Sequence, residues 1–160
     1  MNEQVQVLDI SEQKAVSEAL IRMIQESPMV KGTKTAVRHG TVELGVIGEF
    51  AQQGTVYVKR YVSGSFIGQY AYFLRYRVKP TSDKDKIKAE QRLDALSRWL
   101  EGQKVEWNGT AYRLATYPPL DEERQIETIT NTSGVFMADA GNDGTIDYQV
   151  HMALQYFKKA

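Results

Sequence analysis

Ile146-Asp-Tyr-Gln-Val-His-Met-Ala-Leu-Gln-Tyr156 alternates apolar or aromatic residues with mostly polar ones from end to end. A period of two places Ile146, Tyr148, Val150, Met152, Leu154 and Tyr156 on one face of a β-strand, with Asp147, Gln149, His151 and Gln155 on the other. Immediately before it, Asp139-Ala-Gly-Asn-Asp-Gly144 carries turn chemistry, and before that Arg124 to Ala138 reads as the first arm of a hairpin. The C-terminal strand therefore closes a sheet, and activity belongs to a compact domain completed by its own C-terminus.

Upstream, a helix is expected from about Asp9 to Glu26. Asp9 and Glu12 have capping-box spacing, and Val16, Ala19, Leu20, Met23 and Ile24 form an apolar stripe. Ser27-Pro28 ends it, because proline lacks an amide proton and disfavours helix in the residue before it. Val42–Phe50 and Thr55–Val62 read as strands flanking a hairpin loop, Ala51-Gln-Gln-Gly54. Gln69–Lys79 follows as the most aromatic strand, with Tyr70, Tyr72, Leu74, Tyr76 and Val78 on one face.

Pro80 ends that strand, and Thr81-Ser82-Asp83 caps a second helix running to about Glu101. Its stripe is Ala89, Leu93, Leu96 and Leu100, supported by Ile87 and Trp99, and Gly102 closes it. A small hairpin turns at Asn108-Gly109, and Tyr117-Pro-Pro-Leu120 is a rigid linker. The chain shows no internal repeat and no low-complexity segment. The expected fold is α+β: a mainly antiparallel or mixed β-sheet with two principal helices packed on it and a long C-terminal β-hairpin. Residues 1–160 form a single domain, with an N-terminal arm over about 1–8 and a folded core over 9–158.

The totals narrow the function classes. The 160 residues, 42% of them hydrophobic, suffice for one core. Twenty basic residues balance twenty acidic ones, so no long-range field draws the protein to nucleic acid or an anionic membrane. Absence of cysteine rules out disulfides and thiolate chemistry. The N-terminus lacks the signature of a leader peptide, and no apolar run approaches a membrane span, so the expectation is a soluble protein made in the cytoplasm.

Catalytic patterns are sparse. His39, beside Gly40 in an expected loop, and His151, on the polar side of the last strand, have no patterned partner, and no nucleophile elbow, zinc-protease or phosphate-loop motif occurs. Asp139 to Gly144 has the start of a calcium loop, but Gly141 stands at its third position and Val150 at its twelfth, where a glutamate belongs. A hairpin turn is the better reading, and neither metal nor cofactor is expected. Basic and aromatic residues interleave in Tyr57-Val-Lys-Arg-Tyr61 and Phe73-Leu-Arg-Tyr-Arg-Val-Lys79, as in sheets that grip single-stranded nucleic acid. The competing reading puts the tyrosines inside and Arg60, Arg75 and Arg77 outside, paired with carboxylates such as Glu43 and Glu49.

Tyr72-Phe-Leu-Arg-Tyr-Arg-Val-Lys-Pro80, Leu96-Ser-Arg-Trp-Leu-Glu101, Tyr117-Pro118, Ile126-Glu-Thr-Ile-Thr-Asn131 and Gly144-Thr-Ile-Asp-Tyr-Gln-Val150, ending in Tyr156, together resemble the minor capsid proteins of tailed phages of Gram-positive hosts. These are similar in organisation to siphophage tail-terminator proteins. The resemblance runs from about Leu8 to Lys158 and rests on structural positions, not catalytic ones.

It implies a structural virion protein and not an enzyme. Such a protein is a ring homo-oligomer, commonly six-fold, which caps the tail-tube protein, presents a surface to the head–tail connector protein, and lets DNA pass through its lumen without sequence-specific binding. Its place is the tail or neck of the virion, reached from the host cytoplasm, with no membrane involved. A ring needs heterologous contacts that close by rotation. The expected interface lies in the loops 51–54, 63–68 and 139–144 and on the exposed sheet faces: Gln52, Gln53, Gly54, Ser63, Ser65, Phe66, Arg75, Arg77, Asp139, Asn142 and Asp143. The alternatives are a head-completion or stopper protein of the same particle and, further off, a single-stranded nucleic-acid-binding module.

Overall fold

The structure, a computed structural model, describes residues 6–160. In chain order the elements are α1 (Ile10–Gln25), β1 (Ala36–His39), β2 (Val46–Ala51), β3 (Val56–Arg60), β4 (Phe66–Val78), α2 (Asp83–Leu100), β5 (Val105–Trp107), β6 (Thr110–Tyr112), β7 (Arg124–Asn131), β8 (Phe136–Ala140) and β9 (Ile146–Lys158). The fold is α+β. Seven strands form one mixed sheet and β5–β6 a separate small hairpin. Of the expected N-terminal arm, residues 1–5 lie outside the described residues. Gln6–Leu8 lies along β3, with Val7 bridged to Val56.

The helices start and stop where the local chemistry directs. The Asp9 carboxylate accepts the Ser11 N–H at 2.7 Å, and the Ser82 hydroxyl accepts the Asp85 N–H at 3.3 Å. Glu12 does not close a capping box. Its side chain turns into the protein and binds Arg124 and Tyr156. Ile87 also departs from expectation, standing 53% exposed while the other stripe residues of α2 are buried.

The two longest strands form the sheet's centre. β4 and β9 pair antiparallel without a slip, from Phe66 opposite Lys158 to Val78 opposite Ile146. Even-numbered residues of both, among them Tyr70, Tyr72, Leu74, Val150, Met152 and Leu154, face the helices and form the core with Val16, Leu20, Leu93 and Leu96. β4 begins three residues earlier than the sequence suggests, because its hairpin partner is β3.

The sequence pairing of β2 with β3 is corrected. Both strands pair with β4 on the same side, β2 along Tyr72–Tyr76 and β3 along Phe66–Gln69, so Gln52–Thr55 is a jog between two segments of one edge. The expected strand at Val42 begins only at Val46. A strand the pattern did not reveal, β1, runs parallel to β2. Its connection, residues 40–45, is far shorter than a usual parallel crossover. It fits because Gly48 has no side chain: a Cβ there would lie 2.1 Å from the Thr41 carbonyl oxygen.

An internal repeat, invisible in the sequence, emerges in the topology. With β1 and the β5–β6 hairpin as insertions, each half runs helix, strand, strand, long strand: α1-β2-β3-β4 and α2-β7-β8-β9. β7 and β8 pair end to end along one side of β9 as β2 and β3 do along β4. The offset is 80 residues (146 minus 66) from Phe66 to Ile146 and again from Val78 to Lys158. Bulges at Tyr57/Lys59 and Met137/Asp139 keep it. So do the hairpin turns, where Tyr61 N–H meets Ser65 O at 3.0 Å and Gly141 N–H meets Thr145 O at 2.8 Å. At this offset only Gly54/Gly134, Gly64/Gly144, Gln69/Gln149, Leu74/Leu154 and Tyr76/Tyr156 are identical between 46–78 and 126–158. A pseudo-two-fold axis passes between Tyr72 and Met152, which are partners across the sheet.

Candidate assembly surface

Strand parity dictates two sheet faces with different fates. Even residues of β4 and β9 are covered by α1 and α2, while the odd ones carry no helix and stand mostly half-exposed, with Ala71, Asp147 and Gln149 buried. On this open face Phe50, Phe73, His151 and Phe136 form a row across four strands. Phe50 stacks on Phe73 with centroids 5.0 Å apart, Phe73 meets His151 at 5.4 Å, and His151 stacks on Phe136 at 5.9 Å. Phe50 faces Phe73 and Phe73 faces His151 across the strands, so the row follows directly from register.

Polar neighbours orient the imidazole. His151 Nδ1 lies 2.8 Å from Gln52 Oε1 and Nε2 lies 2.8 Å from Gln149 Nε2. An amide oxygen accepts and an amide nitrogen donates, so this orientation of the two glutamines suits the tautomer protonated at Nδ1. Beside the row, Asp147 receives Arg77 Nε at 2.7 Å and Arg75 NH2 at 2.7 Å. The Arg77 guanidinium holds the Asp147 carboxyl below its usual range against the opposing effect of burial, and Arg75 adds to the lowering. Asp147 is 2% exposed although it lies on the open face, because the two guanidinium groups cover it.

The carboxylates expected to pair with the sheet arginines are elsewhere. Glu43 pairs with Arg38 at 3.2 Å. Glu49 points into the helix side, fully buried, and accepts the Tyr70 hydroxyl at 2.6 Å and the Ser17 hydroxyl at 2.9 Å, with His39 Nδ1 at 2.7 Å. Burial pushes the Tyr70 hydroxyl well above its ordinary pKa, and the facing Glu49 charge adds to it. His39 is thus the end of β1 and not a loop residue, and both histidines have partners. The Ser17–His39–Glu49 cluster lacks relay geometry: serine and carboxylate meet the same ring nitrogen, whereas a nucleophile relay uses both.

The expected interface residues fall in three places. Gln52, Gln53 and Gly54 occupy the exposed jog, where Gln52 joins the open face through His151. Arg75 and Arg77 lie on the open face itself. Ser63, Ser65 and Phe66 belong to one hairpin and Asp139, Asn142 and Asp143 to the other, at opposite ends of the sheet. Two of these residues are interior: Ser65 is 9% exposed and Phe66 8%, the latter packed edge-on against Tyr57 and Tyr156. The strand starts earlier than its alternation suggests, and its even parity turns Phe66 inward.

The 139–144 turn is held by its own side chains, with Asp143 Oδ1 accepting the Thr145 N–H at 3.1 Å and hydroxyl at 2.7 Å. No group of three or more His, Asp or Glu with metal-holding geometry occurs among the described residues. No helix in the described residues is long and apolar enough to cross a membrane. Sequence reasoning placed His151 on the polar side of the last strand and noted Phe73, but did not bring them together with Phe50 and Phe136. Their common face follows from the pairing of Phe50 with Phe73, Phe73 with His151 and Phe136 with Gln149, and it becomes readable once the register is known. No protein-family model matches the chain, and no curated protein matches it.

Proposed function

We propose that the protein is a structural component of a tailed-phage virion. In this reading it is a tail terminator that closes as a ring on the tail tube, halts tube growth and joins the tail to the head connector. No catalysis is involved, and DNA passes through the lumen. The observation that carries the reading is the open sheet face, where rings and paired charges stand half-exposed in a fixed arrangement suited to contact with another protein. The sequence resemblance supplies the place in the particle. Gene deletion in the phage, followed by electron microscopy, tests it. Tails of uncontrolled length without filled heads are the expected result. Normal tails beside heads that leak DNA would shift the assignment to a stopper, and normal infectious particles would remove both.

One observation favours a second reading. The aromatic row beside Arg75 and Arg77 resembles a stacking platform for single-stranded nucleic acid. Both guanidinium groups are already committed to Asp147, which leaves little charge for phosphates. Retention on single-stranded DNA that falls steeply with salt would favour this reading, and its absence would retire it.

A further inference from the structure

The sheet has two open edges at one end, and their chemistry is complementary. Beyond β8 and beyond β1 no strand is paired among the described residues. All five residues of β8 are exposed, Met137 by 58% and Phe136 by 39%. β8 has neither lysine nor proline, two common defences of an edge, and its remaining ones are its short length, Asp139 and the bulge at Met137/Asp139. The repeat shows what such an edge accepts. β3, its counterpart with the same bulge, is covered by Gln6–Leu8 through Leu8 N–H to Thr55 O at 2.7 Å and Tyr57 N–H to Gln6 O at 3.0 Å. The chain supplies no equivalent segment beside β8 among the described residues.

We infer that β8 of one copy pairs antiparallel with β1 of the next copy, continuing the sheet from subunit to subunit. This rests on the ring reading and specifies its contact. Three observations select a second copy as the occupant. First, β1 runs with β2, against β4 and with β9, and therefore against β8. Rotation about an axis parallel to the strands keeps these directions, so it brings β1 beside β8 in the favourable antiparallel sense. Second, Arg38 and Asp139 lie on the same open face, as their partners Gly48 and Asp147 show, and carry opposite charge.

Third, each edge holds one outward backbone group on a side chain. Ala140 N–H rests on Asp139 Oδ1 at 3.0 Å, and the Val37 carbonyl accepts Gln25 Nε2 at 3.2 Å. Pairing Ala140 with Val37 of the next copy replaces both bonds by a backbone bond and frees the Asp139 carboxylate to meet Arg38, whose exposed pair with Glu43 it shares or replaces. With Ala138 as the bulged residue, Met137 then lies opposite His39 on the helix side, and the faces match along the whole contact.

The chain has no cysteine, so introduced thiols report the contact directly. In the double variant Arg38→Cys, Asp139→Cys the two Cα atoms face each other in a non-hydrogen-bonded pair about 4.5 Å apart, within disulfide reach. Mild oxidation of concentrated protein should give a ladder of covalent oligomers ending at a closed ring. Either single variant should give no ladder, and an equal mixture of the two singles should give dimers only. Rapid dimerisation of Asp139→Cys alone would show two β8 edges meeting and overturn the proposal. Rings visible by electron microscopy in a double variant that forms no ladder would overturn the edge contact and leave the ring reading standing. Protein that neither associates nor cross-links at any concentration would overturn both.

Charge reversal is the second arm. Arg38→Asp and Asp139→Arg should each shift association to higher concentration, and their combination should restore it. Equal weakening in the combined variant would count against the pairing. Both positions are exposed, so circular dichroism and cooperative unfolding should match the parent.

Discussion

Glu49 and Glu12 anchor the first helix to the sheet from opposite directions. Glu49 projects from β2 to Ser17 on α1, and Glu12 projects from α1 to Arg124 on β7 and Tyr156 on β9. Glu49→Ala would leave the Tyr70 hydroxyl buried without a partner, and the expected loss is about 2–4 kcal/mol, read by urea unfolding. A loss below about 1 kcal/mol would contradict this account. The second anchor is pH-dependent. Burial raises the Glu12 carboxyl, but Arg124 and the Tyr156 hydroxyl outweigh it, so the folded value lies below the ordinary one. Asp147 is lowered too. A lowered carboxyl stabilises the fold fully above its unfolded value and loses that contribution as pH falls through the folded value. Melting temperature should therefore hold from neutrality down to the ordinary carboxylate range, about pH 4, and drop below it. In Glu12→Gln the neutral plateau should be lower and the acid drop shallower. An unchanged profile would exclude the Glu12 anchor as its source.

Among the elements, the β1–β2 connection is the most demanding. Its strap lies directly on the backbone of Gly48, on the open face, so Gly48→Ala must displace the strap or the strand. The expected cost is at least about 2 kcal/mol, together with loss of hydrogen-exchange protection at Arg38 and Gly40, whose N–H groups face β2. A substitution that leaves β1 protected would contradict the crossing. Gly68 makes a milder comparison. A Cβ there would lie 2.7 Å from the Tyr156 ring, a buried side chain held by Glu12 that must shift, against the 2.1 Å to a backbone oxygen at Gly48. Its cost should be the lower of the two. The helices were legible from their caps and stripes because those signals are local. β1, the true partner of β2 and the inward turn of Phe66 were not, because short strands carry too few residues to show a period and pairing is a property of two segments.

For the whole molecule, β9 is the central support. It pairs with β4 along thirteen residues (Phe66–Val78 against Ile146–Lys158) and with β7 and β8 on its other side. Deleting Asp147–Ala160 removes Tyr148, Val150, Met152, Leu154 and Tyr156, each buried to 2% exposure or less. At about 1.5–3 kcal/mol per buried side chain, the five together come to about 7.5–15 kcal/mol, as much as the about 5–15 kcal/mol that holds a domain together. The truncated chain should show no cooperative unfolding transition and no near-ultraviolet circular dichroism. Retention of either would contradict the central role of β9. The same strand joins the two half-molecules, so the repeat cannot be separated into independent units.

The sequence by itself determined the parity of β4 and β9, the two helices with their caps, the turn at Asp139–Gly144 and hence the α+β class. Each of these is written in residues close along the chain. The tertiary structure alone decided the order of strands, the 80-residue repeat and the aromatic row from Phe50 to Phe136. It also decided the burial of Glu49 and the two open edges. These depend on which distant residues meet, and a repeat needs only matching faces and turns, which very different side chains can supply.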